Sequence, residues 1–588
     1  MALLRSRRLS IHHLTAALSI VFLLIAIVRA IQLRWISDDS FISFRYAQNL
    51  VRGHGLVFNV GERVEGYTNF LWTLVIAAGM KLRIDPIPWT NALGILGYAG
   101  TIAVLVIASR RSDRAGFLLP IAAIACALHR DLQVWATGGL ETSWVTLAIT
   151  SGIVLLSGAR QSRKIFAASF LLVMGILLRP DAVVPYCAGA LFLAVVGPRH
   201  PSALLAYVLP FVLVIVPYWY LRAGYYGHFF PNTYYAKSAH LPYYEQGLKY
   251  VGLYATTYPS FVVLLVTAAV SAIVLWRPRG RSLYDETERF LILAALVMFS
   301  STFYIIRIGG DFMFARFLIP ITPIAFLAGE CALRRFVADP RLRLVCGVVL
   351  AASVLLRPNV FANEVYPWGV ANEPAHYPDH RVGRARAERV GQILRGTGVT
   401  VAFYGGYAKH AFYSEVDPAI EAATGLTDEP IAHLPLVKRG VVGHEKTVSA
   451  AYLVQRGARI ALRGPHGTGK GFVMPEEWSS QPTKMFRLKL GDFTAMLLAY
   501  DCALMEKLSH FEDVEFFDLP KYLDGYLASV DQRPIDKVRN DYRFLKKFYF
   551  EINDDPAREA RFLSRLESSH SEIEGDANLA EVRPVPGR

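Results

Sequence analysis

Charge and cysteine are both scarce in this chain. Asp, Glu, Lys and Arg make up 19% of its 588 residues while 53% are hydrophobic, and a soluble domain carries about 25% charge. A chain this poor in charge cannot be a purely soluble protein. Of its five cysteines, Cys126, Cys187, Cys331 and Cys346 lie in or beside apolar segments. Cys502 is left alone downstream, which excludes a disulfide inside the C-terminal region. The net charge of +14 is spread over short links with no nucleic-acid motif beside it, so no nucleic-acid partner is expected. His54, His228 and His240 lack the spacing of a transition-metal site. "GPHGTGKG" (464–471) follows the phosphate-loop spacing as far as Lys470, then places Gly471 where a Ser or Thr is required. It reads as a flexible glycine loop. No internal repeat is evident.

Long apolar runs fill the first 356 residues. The run at 12–33 follows the basic start "MALLRSRR", is long enough to cross a bilayer, and has no small-residue cleavage site after it. It is expected to be a retained anchor with a cytoplasmic N-terminus. Further apolar segments run from 67 to 356, roughly twelve candidates in all. The basic links at 109–114, 159–164, 197–201, 276–282 and 334–343 belong on the cytoplasmic side. That places the loops at 34–66, 130–140, 179–181, 222–250 and 307–314, and everything after 357, outside. Consistency demands an odd number of crossings between 67 and 108, where two segments compete, so one is short or re-entrant. The expected fold is a polytopic helical membrane domain, 1–356, of about 11 transmembrane helices. An external α/β domain, 357–555, and a flexible tail, 556–588, follow. In that domain "GVTVAFYGG" reads as a buried strand, and "KTVSAAYLVQRGARIAL" as a helix, a glycine cap and a second strand.

The first external loop is "WISDDSFISFRYAQNLVRGHGLVFNVGERVEGYTNFLW" (35–72). A helix over 39–52 aligns Asp38 with Arg45, Asn49 and Arg52 and turns Phe44, Ala47 and Val51 the other way, predicting a helix that lies on the membrane surface. Gly53 stops it, and a hairpin turns at 59–61. Asp38 and Asp39 could merely cap the helix. One Asp would suffice for that, and two carboxylates followed by Arg45 and Arg63 fit a base beside phosphate-holding cations.

This loop, with "ATGGLETSW" (136–144), "LLRPDAV" (177–183), "FPNTYYAK" (230–237), "GGDFMFARFLIP" (309–320), "GLTD" (425–428) and "RGVVGHEK" (439–446), resembles the mycobacterial terminal β-(1→2) arabinofuranosyltransferase family. That family belongs to the GT-C class of polyprenyl-phosphate-sugar glycosyltransferases. The matches keep their order across most of the chain.

The resemblance implies a GT-C fold and an inverting transfer of a sugar, D-arabinofuranose, from a polyprenyl-phosphate donor to a cell-envelope glycan or glycoprotein on the outer face of the bacterial cytoplasmic membrane. Outside the cell nucleotide sugars are absent, so a lipid-carried donor lying among membrane lipid is expected. Asp38 or Asp39 is the candidate base. Arg45, Arg63, Lys237 and Arg316 are the candidates for donor phosphate. Glu65, Tyr67, Asn69, Glu141, His228, Asn232, Tyr234, Tyr235 and Asp311 are candidates for sugar or acceptor contact. Trp135 and Trp144 are candidates for lining a sugar site. A divalent cation, Mg or Mn, held by Asp38 or Asp39 is an open alternative. Tyr404, His410, Asp428, His444 and Lys446 are candidates for acceptor contact in the external domain, although "GLTD" also suits a helix-capping turn. Competing functions are a lipid-linked-sugar flippase, which would place ionisable groups near the bilayer midplane, a GT-C transferase of another sugar, and a membrane-anchored glycan-binding protein.

Overall fold

The computed structural model describes residues 2–111, 119–198, 200–276, 284–362, 366–376, 380–404, 408–422, 424–446, 448–463, 487–488, 494–497, 507, 510–511, 514–515, 519–550 and 553–580. Cys502, the glycine loop at 464–471 and parts of three basic links lie outside them. The chain divides into two compact units. One comprises Met1–His380 with Leu436–Gly443, the other Arg381–Pro435 with His444–Arg588. The division falls at His380 rather than at 356, because the segment after the last apolar helix stays pinned to the first unit.

The first unit is helical, and the chain is a multi-pass membrane protein. Four described helices are long and apolar enough to cross a membrane: Thr15–Gln32, Pro86–Arg110, Pro201–Tyr226 and Glu286–Ile308. Tyr244–Thr257 and Ser260–Leu275 would form a fifth span bent by 105°. Phe70–Lys81, Thr142–Gly158 and Pro180–Val196 are shorter apolar helices. Pro201–Tyr226 and Ser260–Leu275 turn large aliphatic side chains outward, among them Leu205, Leu213, Val263 and Ile273, as helices facing lipid do. In the doubtful stretch between 67 and 108, Phe70–Lys81 has 12 residues. At 1.5 Å per residue it reaches about 18 Å, well short of the ~30 Å hydrocarbon core.

Charged groups also fasten the helix ends. Arg289, fully buried at the start of Glu286–Ile308, donates to the carbonyls of Ser157 (2.7 Å), Ala159 (3.0 Å) and Val196 (3.3 Å). Those carbonyls lie at the ends of Thr142–Gly158 and Val183–Val196, where carbonyls lack helical partners. One guanidinium thus ties three helices together.

The first loop forms its helix, Ser40–Val51, but not on a surface. Ser40 to Ala47 and Asn49 are all buried, so Phe44 and Arg45 are covered alike. The expected hairpin is a turn without strands, closed by a hydrogen bond from the Glu62 amide to the Asn59 carbonyl. Arg45 and Asn49 turn inward because that turn offers carbonyls. Arg45 Nε donates to Phe58 O at 2.7 Å, and Asn49 Nδ2 to Val57 O at 2.9 Å.

The second unit holds a six-stranded sheet in the order β2-β1-β3-β5-β4-β6. The strands are β1 (Thr400–Tyr404), β2 (Ala419–Glu421), β3 (Ala458–Arg463), β4 (Arg487–Leu488), β5 (Thr494–Leu497) and β6 (Val514–Glu515). β1 runs parallel to β2 and β3, and the remaining pairs are antiparallel. The expected α/β alternation is present, with helix Ala450–Gln455 entering β3 through Gly457 at φ +86°. The tail departs from expectation. Pro556–Ala580 is helical and buries Phe562 among Tyr526 and Tyr542.

Candidate functional site

Tryptophans and a glycine turn fix the start of Ser40–Val51. Trp35 donates to Val134 O, Trp72 to Gly139 O and Trp135 to Phe314 O, while the Ser37 amide and Ser40 Oγ reach Gly138 O at 3.0 and 2.8 Å. Gly139 has φ +80°, and a Cβ there would lie 2.2 Å from Ile36 Cδ1. The "ATGGLETSW" turn needs glycine because the chain carrying the aspartates lies directly against it. Trp135 and Trp144 spend their N–H groups inside the bundle, Trp144 on Leu93 O.

Asp38 and Asp39 emerge from this junction. Asp39 occupies the N-cap position but makes no side-chain cap bond, so capping does not account for it. Arg316 faces it. Its guanidinium lies 3.9 Å from Asp39, 3.7 Å from Asp311 and 3.3 Å from Glu141. Burial opposes the charge on Arg316, but Glu141, Asp311 and Asp39 outweigh it and hold the guanidinium's pKa above its usual range. Glu141 also accepts from Asn69 Nδ2 at 2.9 Å, and Asn69 Oδ1 accepts from Ser43 Oγ at 3.0 Å. Arg179 completes the group through a two-pronged pairing with Asp181, 2.9 and 2.6 Å, and an approach of 3.9 Å to Glu141. Four of the loops expected outside thus meet at one guanidinium pair.

Glu373, which sequence reasoning missed, belongs here. A bridge between Met313 and Ala371 pins its segment to the Asp311–Arg316 loop, with the Ala371 amide on Phe312 O at 2.6 Å and the Phe314 amide on Ala371 O at 3.0 Å. Burial first, then the charges of Asp39, Asp38 and Asp311, raise the pKa of the Glu373 carboxyl well above the ordinary range, against the opposing pull of Arg316. Its one signal in the sequence was an acidic residue shortly after the last apolar segment.

Other candidates lie apart from this group. Glu65 is buried against Arg222 at 2.6 Å, and Arg222 also donates to His228 O and stacks on Trp219. Burial, partly offset by Arg222, pushes the Glu65 carboxyl up to about 7. Tyr67 meets Tyr226 at 3.2 Å. These residues brace the loop, as Arg45 does through Phe58 O. Arg63 is exposed and stacks over Tyr225. Asn232 joins Glu65 through its backbone amide, and Phe230, Tyr234, Tyr235 and His228 form an aromatic run that ends at the half-buried Lys237. Segment Leu436–Gly443 borders it: Gly443 lies against the Lys237 stem, and Arg439 donates to Leu241 O at 2.7 Å.

Among the described residues, no three His, Cys, Asp or Glu side chains are grouped to hold a metal ion. In the second unit Asp428 caps Glu429–His433 and binds Tyr452 and Arg456. That makes "GLTD" the capping turn. Lys446 donates to Leu434 O, and His410 is buried.

The backbone adopts the GT-C fold of membrane glycosyltransferases. It aligns with the crystal structure of apo ArnT from Cupriavidus metallidurans at TM-score 0.52 and 14% identity, covering 82% of this chain and 96% of that one. A structure of ArnT from the same organism bound to undecaprenyl phosphate aligns at TM-score 0.49, with 13% identity over 77% and 92% of the two chains. In sequence, no family model matches. The chain is 29% identical over 383 residues to a terminal β-(1→2)-arabinofuranosyltransferase of Corynebacterium glutamicum, covering 59% of this chain and 55% of that protein. It is 30% identical over 322 residues to the protein of the same name from Mycobacterium tuberculosis, covering 49% and 51%. The chain thus spans about half the length of the curated relatives it matches.

Proposed function

We propose that this chain is a membrane glycosyltransferase, an arabinofuranosyltransferase. In this reading it moves a sugar from polyprenyl phosphate to a cell-envelope glycan or glycoprotein on the outer face of the cytoplasmic membrane. The N-terminus is then cytoplasmic and the second unit external. The observation that carries the reading is the meeting of Asp39, Glu141, Asp311 and Arg316, contributed by three of the loops that charge distribution assigns to the outer face.

Asp39 is the base. Asp39 is half-buried whereas Asp38 is buried, so an acceptor hydroxyl can reach Asp39. Asp39 takes the hydroxyl proton, and the acceptor oxygen attacks the anomeric carbon. The bond from that carbon to phosphate oxygen breaks, and polyprenyl phosphate leaves. Arg316, shared among three carboxylates, has little charge left for a phosphate and instead holds Asp39 in position. Lys237 and exposed Arg63 are the better donor-phosphate cations, and the aromatic run from Phe230 to Tyr235 offers ring faces to a sugar.

The test supplies purified protein with decaprenyl- and undecaprenyl-phosphate sugars and measures glycosidic bond formation for wild type, Asp38→Asn and Asp39→Asn. Unchanged turnover in Asp39→Asn sinks the assignment of the base. Lipid movement across the bilayer without bond formation favours a flippase.

A further inference from the structure

The motif "RGVVGHEK" (439–446) begins inside Leu436–Gly443, the stretch that belongs to the first unit. Half-buried Arg439 donates from Nη2 to Leu241 O at 2.7 Å and to Ser238 O at 3.4 Å, and its guanidinium lies 5.0 Å from the centre of the Tyr243 ring. Both carbonyls belong to the turn that follows Lys237. Ser238 stands there at φ +46°, a left-handed conformation that is costly without glycine and persists where neighbours fix it. The segment also reaches Lys237 itself: Gly443 is buried at φ +80°, and a Cβ on it would lie 3.4 Å from Lys237 Cε. Val442 packs on Gly309, where a Cβ would lie 3.3 Å from Val442 Cγ2 and 3.1 Å from Tyr243 Cβ. Gly309 precedes Asp311 by two residues. One segment thus touches both Lys237 and the loop that carries Asp311 and Arg316. Lys237 is half-buried, and its ammonium has no hydrogen-bond or ion-pair partner among the described residues. A sheltered cation without a partner is suited to an anion.

We propose that Arg439 is a positioning residue for the donor. By clamping the turn after Lys237, and seating Val442 and Gly443 against Gly309 and the Lys237 stem, it holds the Lys237 ammonium for the phosphate of a lipid-linked sugar. The proposal rests on the reading of Lys237 as a donor-phosphate cation given above. Arg439 acts through Lys237, since its own guanidinium is engaged with two carbonyls and the Tyr243 ring. Lysine is a point charge on a flexible stem, and fixing that stem on binding costs rotamer entropy. A stem already packed has less to lose, so the ligand is held more tightly. The effect of Arg439 therefore falls on donor binding and not on the bond-making step.

The test titrates the full chain in lipid nanodiscs with decaprenyl phosphate and undecaprenyl phosphate. It compares wild type, Arg439→Ala, Arg439→Lys, Lys237→Ala and the double variant Arg439→Ala/Lys237→Ala. Arg439→Ala should raise Kd by about tenfold, and Arg439→Lys, which can still donate to one carbonyl, by about threefold. The double variant should match Lys237→Ala within about twofold, because coupled residues do not add. In turnover with a lipid-linked sugar, Arg439→Ala should raise the donor KM by the same factor as Kd and leave kcat within about twofold. A merely structural role would instead lower the melting temperature and add its effect to that of Lys237→Ala. The proposal is overturned if wild type binds neither lipid, if Arg439→Ala leaves Kd unchanged, or if its effect adds in full to that of Lys237→Ala. Coupled binding without sugar transfer fails the transferase reading and supports this proposal. Sugar transfer without the coupling overturns this proposal alone.

Discussion

Arg316 and Glu141, 175 residues apart in sequence, lie 3.3 Å from each other. The pair joins the loop before the last two apolar helices to the turn that supports Asp38 and Asp39. A guanidinium offers several donors in a rigid fork, and this one is divided among Glu141, Asp311 and Asp39. Arg316→Lys substitutes a point charge that cannot reach all three. Turnover should fall by roughly 10²-fold, the loss expected when a reacting group shifts by about 1 Å, with little change in melting temperature. Initial rates with a lipid-linked sugar check this.

Asp39→Asn should lower kcat by about 10²-fold or more, the usual contribution of a general base. Asp38→Asn should cost less, because Asp38 is covered. Comparing the two rates at saturating donor separates the neighbours.

Glu65 and Arg222 form a buried ion pair distinct from that site. Removing one partner of such a pair costs about 3–5 kcal/mol, so Arg222→Ala should melt at a clearly lower temperature. The Glu65 carboxyl titrates near 7 in the fold against 4.5 ordinarily. The folded state therefore holds this proton more tightly than the unfolded chain. Its contribution to stability is complete below about 4.5 and is lost as pH rises through about 7. Glu65→Gln should flatten that part of the stability profile, measured by thermal melts across pH.

Gly139→Ala should destabilise the first unit by about 1–3 kcal/mol, the cost of overpacking. Its Cβ would meet Ile36 Cδ1 at 2.2 Å and Ser40 Oγ at 2.6 Å. Reduced activity should accompany the loss, since the displaced chain carries the aspartates.

Phe562 is fully buried in the core of the second unit. Phe562→Ala should cost about 3–5 kcal/mol, and deletion of 556–588 should make that unit protease-sensitive. A truly loose tail would leave both measurements unchanged.

The sequence exposed the site better than its bracing. Asp39, Glu141, Asp311 and Arg316 were legible because ionisable residues at the ends of apolar segments have few reasons to be there. Arg179 and Asp181 stood out for the same reason, as charges interrupting apolar sequence. Arg45, Glu65 and Tyr67 shared those motifs, yet their side chains turn to Phe58, Arg222 and Tyr226. Helical periodicity gives a direction but not a partner, and a short turn without strands can bring carbonyls to a face that looked polar for other reasons. Glu373 was illegible because its position depends on one bridge to a loop about sixty residues earlier, which no local pattern encodes. The helix at Pro556–Ala580 was missed because charge dominated its composition and hid Phe562.

Arg289 has a temporal consequence. The three carbonyls it binds precede it in the chain by 93 to 132 residues. At a ribosomal pace of about 5–20 residues per second, the helices ending near Ser157, Ala159 and Val196 wait roughly five to twenty-five seconds for their donor. The base of the bundle stays unlatched for that interval, and the later helix closes it on arrival.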